Sequence, residues 1–463
     1  MAHRHCRDFD RAAFLRGAAA EAGRGLPSVK PGTPLPAGTG LSRRSLLMRS
    51  AGMAMSIYGA SALSPRAFEA GVAEAAAAAP NAPVLVSVFL EGGIDSMSVL
   101  APTGDPLYRR LRPKLALPAG AGSPFSEDDR LRWHPAAASL AALHGEGKVS
   151  VFPSIGYDHA DQSHFTSRHY WEVGQLNANA ATGWLGRYLD RVGTGANPLQ
   201  GLSLDGSLSP ALATAQAPVA AIDGPGSYEF WGRGVWGDVE DWMHEAFADI
   251  GAAHASSPGA LGEAGAVAAR AGQLRRDLLP FRDDADGNKA YSSPVEYPAD
   301  DDFPERLAGL AAMLAAGLPI RCVALSAGGD WDTHDNQEQD FADSLKVTAD
   351  SLAAFQRDLE ARGLADRVLM LVWSEFGRRA EENGSAGTDH GAGGTAFLIG
   401  TRARGRMVGE FPGLGRGLDA DGNLRATSDF RGVYSGLLEQ WFDTDAAAII
   451  PGAAGFTRPE LIR

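Results

Sequence analysis

The stretch IRCVALSAGGDWDTHDNQ, residues 320–337, predicts a buried strand that ends in a cluster of charged side chains. Its first half is largely apolar, which is typical of a strand covered on both faces in a parallel sheet. Asp330, Asp332, His334 and Asp335 then follow within six positions. Because parallel α/β sheets bind ligands outside the carboxyl ends of their strands, this stretch predicts a functional site at that edge.

From residue 83 onward, apolar strands alternate with amphipathic helices, which predicts an α/β fold with a mainly parallel sheet sandwiched between helices. We expect residues 81–463 to form a single domain. Residues at about 190–300 are rich in Gly, Pro, Asp and aromatic side chains and could form a cap or inserted subdomain. The predicted strands are PVLVSVFLEGG (83–93), VSVFPSIG (149–156), DRVLMLVWSEFG (366–377) and TAFLIG (395–400), and the predicted helices are HPAAASLAALHGEGK (134–148), PERLAGLAAMLAAG (304–317) and FADSLKVTADSLAAFQRDLEARG (341–363).

The charge and cysteine content exclude several classes of protein. The formal net charge of −14 at pH 7 argues against general binding to nucleic acid or anionic lipid, since both favour basic surfaces. The chain contains two cysteines, Cys6 and Cys322. Cys6 lies in the predicted leader and Cys322 in a predicted strand, so we expect no disulfide in the mature protein.

Residues 1–80 have the features of a leader and linker. In LSRRSLLMRSAGMAMSIYGASAL (41–63), the pair Arg43–Arg44 is the twin-arginine export pattern, and an A-S-A triplet provides a cleavage site after Ala62. Cleavage could instead fall within the alanine run 75–79. The alternative to an export signal is that this segment forms an amphipathic N-terminal helix of the folded protein. We therefore expect export by the twin-arginine translocase to the periplasm, cell surface or medium. A transmembrane span in the mature protein is not expected.

Four polar motifs follow apolar runs, and each contains acidic residues or histidine. Several carboxylates at one sheet edge repel each other unless a cation neutralises them, so we expect a divalent metal site rather than an empty acidic cleft. Mixed Asp, Glu and His ligands suit one or two ions of Zn²⁺, Mn²⁺, Mg²⁺ or Ca²⁺. The motifs are EGGIDSMS (91–98) with Asp95, GYDHADQSHF (156–165) with Ser163 and His164, GGDWDTHDNQ (328–337), and SEFGRRAEENGSAGTDHGAGG (374–394) with Glu375, Arg378, Asp389 and His390.

These motifs, together with SRRSLLMRSAG, VFLEGGIDSMSVLAP, SHFTSRHYWEVG and GWLGRYLD, resemble the bacterial family known as domain of unknown function 1501. That family is placed in the alkaline phosphatase and sulfatase superfamily. The resemblance implies an alkaline phosphatase/sulfatase-like fold, with one or two metals beside a nucleophile at the start of a helix.

Carried over residue by residue, the resemblance implies roles for individual positions. Asp95, Asp332, His334 and His390 are similar to metal ligands of the superfamily. Ser163 or His164 occupies the nucleophile position, depending on how the residues before Gly174 are counted. Where relatives carry an Asp-His pair, this chain has Glu375 followed by Phe376; Glu375 can still ligate, and Asp389 is the alternative ligand for the missing histidine.

The resulting hypothesis is an exported metal-dependent hydrolase that acts on a small-molecule or glycan ester of phosphate or sulfate. Ser163 would attack, and Arg378 or Arg168 would hold the anion as a donor fork, unless these arginines form ion pairs instead. The alternative is a non-catalytic exported protein that binds metal or envelope glycans. Its sugar platform would be formed by aromatic side chains, although packing within an inserted subdomain is the favoured explanation for them; they are Tyr228, Phe230, Trp231 and Trp236.

Overall fold

The computed structural model describes residues 56–58, 82–194, 197–224, 238–283, 289–299 and 301–463. Strands and helices alternate along most of the described chain, as the sequence predicts. The strands are β1 (Ser56–Tyr58), β2 (Val84–Leu90), β3 (Leu100–Ala101), β4 (Ser123–Pro124), β5 (Arg132–Trp133), β6 (Val149–Gly156), β7 (Gly201–Ser203), β8 (Val219–Ala221), β9 (Cys322–Ala327), β10 (Val368–Trp373), β11 (Arg378–Glu382), β12 (Thr388–His390), β13 (Gly394–Ile399) and β14 (Ser428–Asp429).

The helices vary from single turns to seven turns in length. The longest ends just before Gly363, which takes a left-handed φ of 70° that favours glycine. The helices are α1 (Ser96–Val99), α2 (Tyr108–Leu111), α3 (Ala138–Gly145), α4 (His164–Val173), α5 (Trp184–Val192), α6 (Asp238–His254), α7 (Ala260–Leu278), α8 (Asp302–Ala315), α9 (Gln337–Ala361) and α10 (Phe430–Gln440).

Nine of the described strands form one mixed sheet in the order β1-β8-β7-β9-β2-β10-β13-β6-β14. Seven of these strands run in one direction, and β1 and β13 run against them. The pair β11 and β12 forms a separate antiparallel hairpin, and β3, β5 and β4 form a small third sheet. The expectation of a mainly parallel sheet is confirmed.

Both faces of the central sheet are buried against helices. In β2, Val86 and Val88 belong to one apolar cluster, whereas Leu85 and Phe89 belong to the cluster on the opposite face. The first cluster includes side chains of α3, α7, α8 and α9, and the second includes side chains of α4, α5 and α10. A strand that is buried on both faces needs apolar side chains at consecutive positions, instead of apolar and polar residues in alternation. The helix–sheet–helix arrangement predicted from the sequence is confirmed.

The aromatic packing of the second face fixes the position of α4. The indole of Trp171 stacks on the ring of Phe430 at 4.5 Å and on that of Trp373 at 5.4 Å. Trp171 is 2% exposed. Aromatic pairs at these separations add to the free energy of area burial, so α4 is held firmly against the sheet.

The region at about 190–300 contains parts of the main sheet as well as two extra helices. Strands β7 and β8 pair within the nine-stranded sheet, and α6 packs against α7. The aromatic residues suggested as a sugar platform lie outside the described residues, as does the leader apart from Ser56–Tyr58, which pairs with β8. No described helix is both long and apolar enough to cross a membrane.

The sheet brings the four polar motifs to one edge. Strands β2, β9, β10 and β6 point the same way, so the segments that follow them emerge together. The hairpin of β11 and β12 extends from the end of β10 and returns the chain to β13. The prediction that the motifs meet at the carboxyl ends of the strands is therefore confirmed.

Candidate metal centre

Three imidazoles and one carboxylate converge at this edge. Nε2 of His390 lies 2.9 Å from Nε2 of His334 and 3.1 Å from Nε2 of His164. Oδ1 of Asp332 lies 3.1 Å, 3.4 Å and 3.6 Å from Nε2 of His334, His390 and His164. A tetrahedral ion with metal–ligand bonds of about 2.0–2.1 Å places its ligands about 3.3 Å apart. These separations match the spacing of ligands in one coordination shell. The ligand atoms of His164, Asp332 and His390 all lie within 4.8 Å of one another, and His334 contacts two of these three residues.

Each ligand candidate comes from a different part of the fold. His164 is the first residue of α4, and Asp332 and His334 lie in the segment after β9. His390 ends β12, where it pairs with Arg378 of β11. Gly387 allows the hairpin to approach the segment after β9, because a Cβ there would lie 2.3 Å from the backbone carbon of His334. The site thus depends on tertiary packing rather than on one local motif.

The second ring nitrogen of each of the three histidines in the cluster faces a hydrogen-bond acceptor. Nδ1 of His164 lies 2.7 Å from Oε1 of Glu375, and Nδ1 of His390 lies 2.8 Å from the carbonyl oxygen of Gln162. Nδ1 of His334 lies 3.3 Å from Oδ1 of Asp389. Carbonyl and carboxylate oxygens only accept, so these contacts assign the proton of each neutral ring to Nδ1 and leave the Nε2 lone pairs facing one another. Converging lone pairs require a cation among them.

Asp332 has the chemistry of an anionic ligand. Burial raises its pKa, but the imidazoles of His164, His334 and His390, which donate to it from Nε2 when their rings are protonated, and the charge of Arg378 outweigh this and hold the pKa well below its usual range. Its Oδ2 is buried and has no hydrogen-bond partner among the described residues. His164, Asp332 and His390 can each offer a ligand atom within 4.8 Å of the others. Nitrogen and oxygen donors of this kind fit Zn²⁺ or Mn²⁺ better than Mg²⁺ or Ca²⁺, which prefer oxygen alone.

Two residues predicted as ligands instead support the histidines. Glu375 accepts hydrogen bonds from the backbone N–H groups of Gly92 and Gly93 besides contacting His164. Asp389 contacts Nδ1 of His334 and accepts a hydrogen bond from Asn383. Both carboxylates face the outer ring nitrogens, so the structure does not bring them into the ligand shell. Carboxylates in this position orient a metal-binding imidazole and raise its basicity.

Asp95 is also placed away from the ligand cluster. Both of its oxygens contact the guanidinium of Arg112, and it accepts further hydrogen bonds from Ser98 and Gln337. Burial raises the pKa of Asp95, but the charge and hydrogen bonds of Arg112 outweigh this and lower it. The positive charge that keeps this buried carboxylate ionised is therefore Arg112. The sequence could not show this pairing.

The arginines suggested as an anion clamp form internal contacts. Arg378 is fully buried; it contacts Asp332 and donates to the backbone carbonyls of Gly93 and Thr388. Arg168 pairs with Glu91 and Glu172. Both arginines therefore form ion pairs, which was the alternative to an anion clamp. Arg378 holds Asp332 in place.

Two neighbouring residues, Ser163 and His164, are candidates for the nucleophile position, and their side chains have different surroundings in the structure. His164 points into the cluster, where its ring packs 4.9 Å from the ring of Phe376. Ser163 precedes α4, is partly exposed, and donates its backbone N–H to Asp161. His164 was not predicted as a ligand from the sequence. The signal was the histidine itself, immediately after Ser163 at a helix start.

The part of the chain that contains most of the site is similar to a known protein family. Residues 284–448 match the family model described as "Protein of unknown function (DUF1501)". Over this part of the chain, the match agrees with the resemblance noted in the sequence motifs. The matched DUF1501 region includes Asp332, His334 and His390 together with their supporting carboxylates. No curated protein matches the chain.

Several solved structures are similar to the chain at low sequence identity. One is the C-terminal periplasmic domain of EcEptC from Escherichia coli in complex with Zn, with 9% identity, a TM-score of 0.35, and coverage of 78% of this chain and 83% of that chain. Another is the PsFucS1 sulfatase from Pseudoalteromonas sp., with 12% identity, a TM-score of 0.34 and coverage of 85% and 76%. A third is the phosphonate monoester hydrolase of Agrobacterium radiobacter, with 10% identity, a TM-score of 0.32 and coverage of 80% and 77%.

Proposed function

We propose that this chain is an exported metal-dependent hydrolase of phosphate or sulfate esters. Its ion would be held by His164, Asp332, His334 and His390. The observation that carries the proposal is the convergence of three Nε2 atoms and one carboxylate oxygen at ligand spacing, with every outer ring nitrogen supported. A single transition metal ion fits this donor set, and Zn²⁺ is the best match.

The chain's own residues would prepare the site for an anionic ester. A bound divalent ion supplies Lewis-acid stabilisation of the charge on the transferring group. The side chains of His334 and His390 are 26% and 14% exposed, whereas those of His164 and Asp332 are each 2% exposed. The substrate would therefore approach from the side of His334 and His390. Glu375 and Asp389 would keep the imidazoles oriented during the reaction.

Ser163 is the proposed nucleophile because it adjoins a ligand and lies at the start of a ten-residue helix. The N–H groups at a helix N-terminus attract anions. In the reaction, a bond would form between Oγ of Ser163 and the phosphorus or sulfur atom. The bond from that atom to the ester oxygen would break, and the ester oxygen would take up the proton that the serine hydroxyl loses, so that the product leaves as an alcohol. Water would then attack the phosphorus or sulfur atom, break its bond to Oγ and return a proton to the serine, which releases phosphate or sulfate.

A second candidate is a non-catalytic exported protein that binds metal. Four protein ligands fill a tetrahedral shell, which is typical of structural zinc sites, whereas catalytic sites usually keep one position for water. The shell would be complete with four protein ligands if His334 joins His164, Asp332 and His390 in binding the ion. Both candidate functions include a bound metal ion, but only the hydrolase would turn over an ester substrate.

Export is supported by the sequence pair Arg43–Arg44, which lies outside the described residues. The proposed route is the twin-arginine translocase, with cleavage after Ala62 and delivery to the periplasm, cell surface or medium. Cleavage there would remove β1, which lies at the outer edge of the sheet. The mature domain would be residues 81–463.

The function is tested by metal content and turnover measured on the same preparations. Phosphate monoesters, phosphate diesters and sulfate esters would be assayed with the wild type, Ser163→Ala and the exposed control Ser292→Ala. Turnover that is lost in Ser163→Ala alone, with metal retained, supports the hydrolase. Stoichiometric metal without turnover across the panel favours the second candidate. Absence of metal overturns both.

A further inference from the structure

A large polar cleft adjoins the candidate metal centre. It has a volume of about 930 Å³, within the range of small-molecule binding sites. Gln162 lines the cleft, and its carbonyl oxygen accepts the hydrogen bond of His390 Nδ1. Ala392, two residues after His390, lines it as well. The cleft therefore borders the wall of the metal centre.

The cleft contains acceptors that the described residues leave unused. The carboxylates of Asp158 and Asp421 are exposed and have no hydrogen-bond or ion-pair partner within the described part of the chain. Asn423 is 2% exposed, and its Oδ1 is buried without a partner among the described residues. Its Nδ2 donates to Asp419, which fixes the amide so that the oxygen is the free end. An acceptor buried without a donor is costly, so a donor from a ligand would stabilise it.

The other charged groups of the lining are partly engaged. Arg431 pairs with Asp429 and lies over the ring of Phe456 at 4.3 Å. Arg425 is exposed, and its Nε donates to the carbonyl of Leu418, which leaves its terminal nitrogens toward solvent. Arg425 also interacts electrostatically with Asp419 of the same lining. Among the described residues, the lining thus presents more free acceptors than free donors.

A hydroxyl-rich group fits this arrangement. Hydroxyls donate to carboxylate and amide oxygens and also accept from a guanidinium, whereas an ammonium group only donates and is repelled by Arg425. A second phosphate or sulfate group would meet the unpaired carboxylates of Asp158 and Asp421, which disfavours polyanions.

We propose that this cleft binds a neutral, sugar-like part of the substrate, so that the ester cleaved at the metal centre is a singly esterified, otherwise uncharged carbohydrate. Asp158, Asp421, Asn423 and Arg425 would recognise its hydroxyl groups. The proposal rests on the proposed hydrolase activity, because the sugar is part of a substrate only if the chain cleaves its ester. The binding of the sugar itself does not require turnover.

The binding test uses unesterified sugars and is independent of hydrolysis. Glucose, galactose and maltose would be examined by saturation-transfer NMR with the full chain. We expect binding to the wild type and to the exposed control Asp129→Asn, and loss of binding in the double variant Asp158→Asn/Asp421→Asn. Absence of binding to the wild type, or equal binding to the double variant, would overturn the proposal.

The kinetic test compares glucose 6-phosphate and glucose 6-sulfate with p-nitrophenyl phosphate, p-nitrophenyl sulfate and choline phosphate. The double variant should raise KM for the hexose esters at least tenfold, with kcat and the p-nitrophenyl reactions changed less than twofold. An equal loss on p-nitrophenyl esters, or a preference for choline phosphate, contradicts the proposal. If the wild type cleaves none of these esters, the hydrolase proposal fails while the NMR result still decides the cleft.

Discussion

Nε2 of His334 lies 2.9 Å from Nε2 of His390, and the opposite nitrogen of each ring faces an oxygen that can only accept. Two neutral imidazoles in this arrangement place lone pair against lone pair. The contact is favourable only with a cation between them, either a proton or a metal ion. A third imidazole, that of His164, and the anionic carboxylate of Asp332 lie at the same point. They favour a divalent ion, because one proton cannot neutralise the carboxylate and also bind the lone pairs of all three rings.

The support given by Glu375 to His164 should be measurable in metal affinity. Glu375→Gln weakens the acceptor for Nδ1 of His164, so we expect zinc affinity to fall by about 10–100-fold, as is usual for such supporting carboxylates. Competition with a chromogenic chelator would measure it. The exposed Glu338→Gln serves as the matched control and should bind zinc like the wild type. Unchanged affinity in Glu375→Gln would show that this contact does not support a ligand.

The approach of the β11–β12 hairpin to the segment after β9 predicts a steric effect at Gly387. A methyl group there would lie 2.3 Å from the backbone carbon of His334, so Gly387→Ala should shift His334 and lower zinc affinity at least tenfold. Overpacking of this kind typically costs about 1–3 kcal/mol in the free energy of unfolding. Gly384→Ala in the same hairpin meets no atom within 4 Å and is the control. Equal zinc affinity in the two variants would contradict the placement of the hairpin.

The buried pair of Asp95 and Arg112 predicts a pH-dependent loss of stability. Asp95→Asn leaves Arg112, which is 0% exposed, without its counter-charge. Removing one partner of a buried pair costs about 3–5 kcal/mol at neutral pH. Chemical denaturation of the wild type and Asp95→Asn, with Asp129→Asn as an exposed control, would measure the difference.

The sign of the pH effect follows from the lowered pKa of Asp95, whose ordinary value is 3.8. A carboxyl group with a depressed pKa in the folded state contributes stability above its unfolded value and loses it as the pH falls through the folded value. The difference between the wild type and Asp95→Asn should therefore be full at pH 7 and shrink progressively below pH 3.8. A difference that stays constant down to acid unfolding would argue against an ionised Asp95.

The sequence predicts the layers of the fold well and the contacts of the site less well. Apolar runs such as residues 83–90 identify the doubly buried strands, and the shared direction of parallel strands places the motifs at one edge. Strand direction is not encoded in such runs, so the reversed course of β13 could not be predicted from TAFLIG. The fold class therefore followed from local patterns, whereas the strand pairing required the structure.

Individual ligands depended on tertiary partners that spacing does not reveal. Asp332, His334 and His390 were predicted as ligands, and the structure brings them together. Asp95 has the same sequence context after a strand, but it is neutralised by Arg112, the residue that follows α2. Glu375 and Asp389 lie close to the centre and face the outer nitrogens. Which carboxylate reaches the ion and which reaches a histidine is decided by packing differences of a few ångströms.

Metal analysis of the purified chain, combined with X-ray absorption at the edge of the bound metal, tests whether an ion lies among these imidazoles. We expect a single transition metal ion per chain, with nitrogen ligands from imidazole and an oxygen ligand at about 2.0–2.2 Å. The ion should be lost in His390→Ala and retained in the exposed control His254→Ala. A chain that holds no stoichiometric metal after incubation with zinc, or whose ion has no imidazole ligand, would contradict the account.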